Sequence, residues 1–352
     1  MEFQYNNMAK MKKLLSIVIP TYNMEALLDQ CLTSLIVPDK EKREKLDVIV
    51  VIDGATDRSS EIAHGYESRY PETFRILDKK NGNYGSCVNA ALPLALSGGG
   101  EFVRVLDADD SYYTENISDY LDVLESCDAD LVLTPCHLVN LNGNVIENRS
   151  FAYTKGLAFP VSELDSCILM HSITYRSSIF RTFSYHQTEG ISYTDQEWST
   201  IPMQGVKTVY YYDKPIYRYL IGREGQTMDS GILMKKLGDE AKSLFSQLNA
   251  LKDIPQDCPA RPWIQKMIDD RTSRLYRFGL SRQAHLNLEE FDRTLKKDFP
   301  SEYKRASDFT MEVGIANMQM NFVSMWRKVR SRRGMWLFPK YILFILASRL
   351  LK

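Results

Sequence analysis

The chain has 352 residues, 44% apolar and 25% charged, which fits a globular protein of one large domain or two ordinary ones. Its net charge of −1 gives no overall field aimed at nucleic acid, so nucleic acid is excluded as a partner. The six cysteines (31, 87, 127, 136, 167 and 258) form no CxxC pair, which argues against a zinc site or a disulfide framework and for a reducing cytoplasm.

Residues 1–13 read as a polar leader. "MKKLLSIVIP" has the lysines and apolar run of a signal peptide, but the run is short and no small-residue cleavage site follows. We expect a buried strand at 14–20 instead. "MEALLDQCLTSLI" (24–36) has helical spacing through Leu27, Leu28, Cys31, Leu32 and Leu35. A charged loop, "PDKEKREK", precedes a second strand at 46–52. "DGATDRSS" is a turn in which Asp57 or Ser59 would cap a helix over 60–70. A strand at 74–77, a helix through "SCVNAALPLALS" despite Pro93, and a strand at 101–106 complete the series. Strands alternating with helices imply βαβ units and a parallel sheet, and strands apolar throughout imply burial on both faces.

After 125 the rhythm changes. "DLVLTPCHLVNLNGNVIEN" predicts two strands around an Asn142–Gly143 turn. "TDQEWSTIPMQ" predicts a helix start, and "VKTVYYYDKPIYRYL" an aromatic-rich strand with a following segment. From about 232 the pattern is helical.

Ligands of open parallel sheets bind beyond the carboxyl ends of the strands. Three such ends are polar here: "PTYN" (20–23), "DGATD" (53–57) and "DADD" (107–110). Neither GxGxxG nor GxxxxGK[ST] occurs, so the common dinucleotide and triphosphate loops are absent from the sequence. Clustered carboxylates raise one another's pKa unless a cation compensates. Oxygen ligands suit Mg2+ or Mn2+, and Mg2+ is commonly shared with substrate phosphates. The plain alternative is a solvated acidic turn capping a helix at 113–124.

"SIVIPTYN", "VIDGATDRS", "NGNYGSCVNAAL" and "VRVLDADD", in this order and spacing, resemble the nucleotide-sugar half of family 2 glycosyltransferases. The resemblance runs from about Leu14 to about Met228. It implies the α/β GT-A fold with a mostly parallel central sheet. Domains would be a leader (1–13), a GT-A domain (14–230, divided into a nucleotide-sugar half, 14–125, and an acceptor half, 126–230), a helical extension (231–325) and a basic, apolar tail (326–352). Asp53 matches the second aspartate of the family's "DDGSTD" turn, where it would accept from uracil N3–H. Ile52 replaces the first aspartate, so any contact made there in relatives is lost. Pro20, Thr21, Tyr22 and Asn23 would line base and ribose, although Thr21 and Asn23 also fit ordinary turn chemistry. Asn81, Gly82, Asn83 and Gly85 would let backbone approach the ligand. Asp107, Ala108 and Asp109 form the DxD motif. The resemblance makes Asp109 the leading metal ligand, with Asp107 and Asp110 beside it.

On the acceptor side, "ISYTDQEW" matches the family's acidic helix start, with Thr194 where glutamate is common. It implies Asp195 as general base and Glu197 as its substitute; the alternative is a capping Asp195 and a solvated Glu197. His171 would touch acceptor or diphosphate, or serve structure alone. Arg218 or Arg223, in a loop hinged at Gly222 and Gly225, would neutralise the leaving diphosphate.

The expected activity is metal-dependent, inverting transfer of a sugar from a nucleotide-diphosphate donor, UDP-linked by the Asp53 argument, to a glycan or lipid-linked saccharide of the cell surface. From Asn321 to Lys352 there are eight basic residues and no acidic one. That tail fits an anchor on anionic lipid at the inner face of the membrane; the alternative is a plain C-terminal helix packed on the domain. The competing readings are a sugar-nucleotide nucleotidyltransferase and a non-catalytic glycan- or nucleotide-binding subunit. "PTYNMEA" lacks the glycine-rich, basic first loop of the former, and a binding subunit has no use for both the DxD pair and Asp195.

Overall fold

The computed structural model describes residues 12–223, 226, 229–280, 284–313 and 318–330. Most of the leader (1–11), the end of the resemblance at Met228, Gly225 and most of the tail (331–352) lie outside these residues. Described residues fall into two compact units. One comprises the chain up to Gln226 together with Ile254–Trp263, and the other lies within Thr227–Asp253 and Ile264–Lys352.

The first unit opens with β1 (Leu15–Thr21), α1 (Leu28–Thr33), α2 (Lys40–Glu44), β2 (Leu46–Asp53), α3 (Ser59–Arg69), β3 (Phe74–Lys79), α4 (Asn83–Ser97), β4 (Phe102–Val105), β5 (Ser111–Tyr112) and α5 (Thr114–Ser126). It continues with β6 (Leu131–Leu133), β7 (Cys136–Val139), β8 (Val145–Arg149), β9 (Ala158–Pro160), β10 (Ile173–Arg176), α6 (Asp195–Thr200), β11 (Thr208–Tyr211) and β12 (Tyr217–Leu220). Eight strands form the main sheet in the order β3-β2-β1-β4-β10-β6-β11-β9. The βαβ half is parallel throughout, with Ile17 opposite Val48 and Arg104, while β10 and β9 enter antiparallel. The strands of that half are apolar because helices cover both faces: Ile17, Val18 and Ile19 are wholly buried, as are Val48 to Val51.

Two local departures from the sequence expectation have physical causes. The charged "PDKEKREK" segment closes into α2 because the Asp39 side chain accepts from Lys42 N at its start. The apolar stretch before Asn142 is two strands: β6 joins the main sheet, and β7 joins a second sheet of order β5-β12-β7-β8. Pro135 separates them, and its nitrogen has no hydrogen to give to either ladder. The predicted hairpin is present, with β7 antiparallel to β8 and Gly143 at φ 78°.

The second sheet does the positioning. β12 pairs with β5, setting Tyr217 opposite Tyr112 and Arg218 opposite Ser111. The chain after Leu220 is thereby carried over the acidic triplet that precedes β5.

The second unit is helical, as expected for the extension. It holds α7 (Ser230–Lys235), α8 (Leu237–Asp253), most of α9 (Arg261–Gly279), α10 (Leu288–Asp298), α11 (Pro300–Ala306), the hairpin of β13 (Thr310–Val313) and β14 (Met318–Asn321), and α12 (Phe322–Arg330). Its interior is aromatic, with Phe245 stacked on Phe299 at 5.9 Å and Tyr276 edge-on to Phe291 at 5.3 Å. A buried polar knot lies beside them: Tyr276 Oη and Arg327 Nε both donate to Asp292 Oδ1, at 2.6 and 2.7 Å. Arg327 also donates to the Tyr303 carbonyl at 2.8 Å. Among the described residues no helix is long and apolar enough to cross a membrane.

Candidate active site at the carboxyl edge of the parallel sheet

β1, β2 and β4 end on the same edge and deliver Thr21–Asn23, Asp53 and Asp107 there. Asn23 adopts φ 52°, and its Oδ1 accepts from Thr56 N at 2.8 Å, tying the first strand-end loop to the second. Thr21 is buried, with its hydroxyl on the Ile19 carbonyl, whereas Tyr22 is 48% exposed and Pro20 partly exposed. Thr21 and Asn23 thus make the turn contacts that the plain alternative assigned them. Asp57 accepts from Ser59 N at 3.0 Å at the start of α3, and Ser59 accepts from Met24 N.

Asp53 sits beneath the next loop. Its Oδ1 accepts from Lys79 Nζ at 2.7 Å and Gly82 N at 3.0 Å, and its carbonyl accepts from Asn81 Nδ2 at 2.9 Å. Gly54 has φ 69°, and a Cβ there would stand 2.9 Å from Asn81 N, so glycine is required on both counts. Lys79 was not anticipated from sequence, although it stands two residues after the run at 74–77.

Asn83 (φ 65°) and Gly85 begin α4. A Cβ on Gly85 would overlap the Thr188 carbonyl, so glycine lets the 186–190 segment lie against α4. Gly190 N donates to the Gly82 carbonyl at 2.9 Å, and Asn89 exchanges hydrogen bonds with Gln187. Glu197 serves the same docking. It is fully buried, and its Oε2 accepts from Thr188 N at 2.9 Å and Thr188 Oγ1 at 3.1 Å.

The acidic triplet divides into two roles. Asp107, Asp110 and His171 each offer a ligand atom, and these atoms lie within 4.8 Å of one another. Asp109 faces elsewhere: its Oδ2 accepts from Arg223 at 2.7 Å. Ala108, between them, is buried in the core. His171 Nε2 is 3.8 Å from Asp107 Oδ2, and its Nδ1 is buried without a hydrogen-bond partner. Tyr219 stacks on the imidazole at 4.3 Å and Tyr217 meets it edge-on at 4.8 Å. Behind it the wholly buried Arg104 donates to the His171 carbonyl at 2.7 Å and lies over the Tyr112 ring at 5.0 Å.

Electrostatics follow from this crowding. Burial pushes the Asp110 carboxyl well above the usual range, and the charges of Asp107 and Asp109 push it further. Tyr217 Oη and Leu220 N oppose that by donating to Asp110 at 2.7 Å each. Asp109 is raised by burial and by Asp107, and lowered by Arg223. Tyr84 donates to Asp107 Oδ1 at 2.9 Å; burial raises its phenol, with Asp107 and Asp195 adding to the effect. Tyr219 is raised by burial and then by Asp110, Asp107, Asp195 and Asp109 in turn. Asp195, at the start of α6, is thus one of four carboxylates whose charge raises this phenol.

Gln226 Oε1 accepts from Gly222 N and Arg223 N at 2.9 and 3.2 Å. Its Nε2 donates back to the Leu220 carbonyl at 2.6 Å. Arg218 lies instead over the Tyr113 ring at 5.2 Å. Sequence reasoning missed Tyr84, Tyr217, Tyr219 and Gln226, since scattered tyrosines read as core. Tyr84 did carry a signal, lying inside the "NGNYG" loop.

Residues 16–186 match the family model described as Glycosyl transferase family 2. An uncharacterized glycosyltransferase of Mycoplasma pneumoniae, the MG060 homolog, is 33% identical over 119 residues, covering 34% of this chain and 39% of its own length. The poly(ribitol-phosphate) beta-N-acetylglucosaminyltransferase TarS of Staphylococcus aureus is 28% identical over 219 residues, 61% of this chain and 37% of TarS. This chain thus spans about two-fifths of the length of either relative. The solved structure of TarS residues 1–349 with UDP-GlcNAc superposes with a TM-score of 0.54 at 22% identity, covering 84% of this chain and 80% of that one. At that identity the superposition establishes the fold, GT-A.

Proposed function

We propose, on the premise that this chain is a family 2 glycosyltransferase through residues 16–186, that it moves a sugar from a UDP-linked donor to a hydroxyl of a cell-surface glycan or lipid-linked saccharide, inverting the anomeric carbon. The observation that carries this reading is the cluster of Asp107, Asp110 and His171, with the Asp109–Arg223 pair next to it in the chain, at the carboxyl edge of the parallel sheet. UDP-GlcNAc is the first donor to test, because the TarS structure holds it.

Asp53, whose Oδ1 accepts from Lys79 Nζ, would read uracil N3–H. Tyr22, exposed at the end of β1, offers a surface for the base. Asp107, Asp110 and His171 fit a divalent cation: two mutually repelling carboxylates are joined by an imidazole whose Nε2 lies 3.8 Å from Asp107 Oδ2. The imidazole favours Mn2+ over Mg2+, whose ligands are oxygens. When bound, the ion supplies Lewis-acid stabilisation of the departing diphosphate. Arg223 adds a guanidinium to the same charge, Tyr84 and Tyr217 hold the carboxylates in place, and Asp195 takes the proton of the attacking hydroxyl. Glu197 holds Thr188 and so leaves the base role to Asp195.

Action on the cytoplasmic side is part of the proposal and rests on the scattered cysteines, which form no CxxC pair. Peripheral binding to anionic lipid through the tail is part of the proposal and rests on the charge of residues 326–352 alone. The test is nucleotide release from a panel of UDP-sugars with and without Mn2+. Mn2+-dependent release of UDP supports the reading; no release from any donor, with folded protein and acceptor mixtures supplied, refutes it.

A further inference from the structure

The β7–β8 hairpin and the segment leading to His171 line an open cavity of about 430 Å3, within the range of about 300–1,000 Å3 that holds small ligands. Two charged side chains line it, Glu147 and Arg149. They neutralise each other, with Arg149 Nε donating to Glu147 Oε1 at 2.8 Å. The amide and hydroxyl lining comes from Asn148, Ser150, Ser166 and Ser172. One wall is the Phe151 ring, fixed edge-on to Tyr211 at 5.9 Å and stacked on Tyr153 at 6.1 Å. The opposite wall is braced by Trp263, whose indole N–H donates to the Ser166 carbonyl at 2.9 Å. Leu169 and Ser172, also in the lining, flank the Met170–His171 turn. On that turn Tyr84 reaches Met170 Sδ, and His171 approaches Asp107. An occupant would therefore lie one turn of chain from the carboxylates.

We propose that this cavity is the acceptor subsite and that the unit it holds is an uncharged saccharide, rather than a phosphate- or carboxylate-bearing one. A sugar ring offers hydroxyls to amide and hydroxyl partners and an apolar C–H face to an aromatic ring. An anionic unit would call for a lining of net positive charge, and the two charged side chains there, Glu147 and Arg149, are of opposite sign. The role as acceptor rests on the glycosyltransferase reading above; the binding of a neutral saccharide does not.

Cys167 lines the cavity and is exposed, so it reports occupancy in the full chain. Maleimide alkylation at Cys167 and at Cys258 is followed site by site by mass spectrometry. The probes are neutral disaccharides ending in glucose, galactose or N-acetylglucosamine, the corresponding sugar phosphates, ribitol phosphate, and UDP. At least one neutral disaccharide is expected to slow alkylation of Cys167 and not of Cys258. UDP and the phosphates should leave both rates as they are. Phe151→Ala is expected to raise the half-protecting concentration about tenfold through the lost aromatic face, and Ser150→Trp to abolish protection by filling the space. Protection by phosphates ahead of neutral sugars, or by no probe, overturns the assignment. Protection without any sugar transfer keeps the cavity and removes the glycosyltransferase reading; transfer to a neutral disaccharide with Cys167 unprotected does the reverse.

Discussion

Arg223 donates to Asp109 across 2.7 Å, and this pair separates Asp109 from the two aspartates beside it. Both side chains are mostly covered, with 30% and 15% exposure. The carboxylate that the DxD pattern marks as leading metal ligand is thus occupied by a guanidinium, while Asp107 and Asp110 face His171. Arg223 then has two candidate uses, holding Asp109 ionised and meeting the diphosphate. Arg223→Met is expected to reduce kcat/KM by about 10²–10³, as loss of one donor to transition-state charge does. Arg223→Lys should recover part of it, and steady-state kinetics at saturating Mn2+ reads both.

Asp195 is the proposed base, and Glu197, two residues on, is buried and accepts from Thr188. Asp195→Asn should keep donor affinity and lose about 10²–10⁴ of turnover. Glu197→Gln should act on stability instead, loosening the 186–190 segment. Single-turnover kinetics with thermal melts separates the two, and turnover near wild type in Asp195→Asn would remove the residue from the mechanism.

In the helical unit, Asp292 is almost completely buried and held by Tyr276 and Arg327. Arg327→Met leaves that carboxylate without its cation, a change that costs about 3–5 kcal/mol when one partner of a buried pair is removed. The double variant Arg327→Met with Asp292→Leu should restore much of the loss. Denaturant unfolding checks both.

His64 lies between Asp78 and Glu67, at 2.8 and 3.0 Å, and hydrogen bonding to the two carboxylates raises its pKa. A histidine raised on folding stabilises fully below its unfolded pKa of about 6.5 and loses that contribution as pH climbs through the folded value. The ring is 47% exposed, so the effect is small. Between mildly acidic and mildly basic pH, the Tm of wild type should fall slightly more than that of His64→Gln.

The parallel half of the fold was legible because burial on both faces writes itself as unbroken apolar runs: β1, β2 and β4 match their predicted strands to within a residue or two at either end. The polar strand ends were legible for the same reason, since carboxylates directly after such runs stand out. Pairing was not. Nothing local distinguishes "LVL" in the main sheet from "CHLV" in the second, and the only hint was Pro135 between them. Nor does spacing place His171 opposite Asp107, some 60 residues earlier, since that contact is made by β10 lying antiparallel beside β4. The return of Ile254–Trp263 to the first unit is likewise a tertiary event without a local sequence signal.

The most direct test is calorimetric titration of UDP into the full chain with and without Mn2+, for wild type, Asp107→Ala and His171→Ala. Wild type should bind UDP in Mn2+ and bind it far more weakly without the ion, and both variants should lose the difference. Equal affinity with and without Mn2+, or variants that respond to the ion as wild type does, would contradict the account.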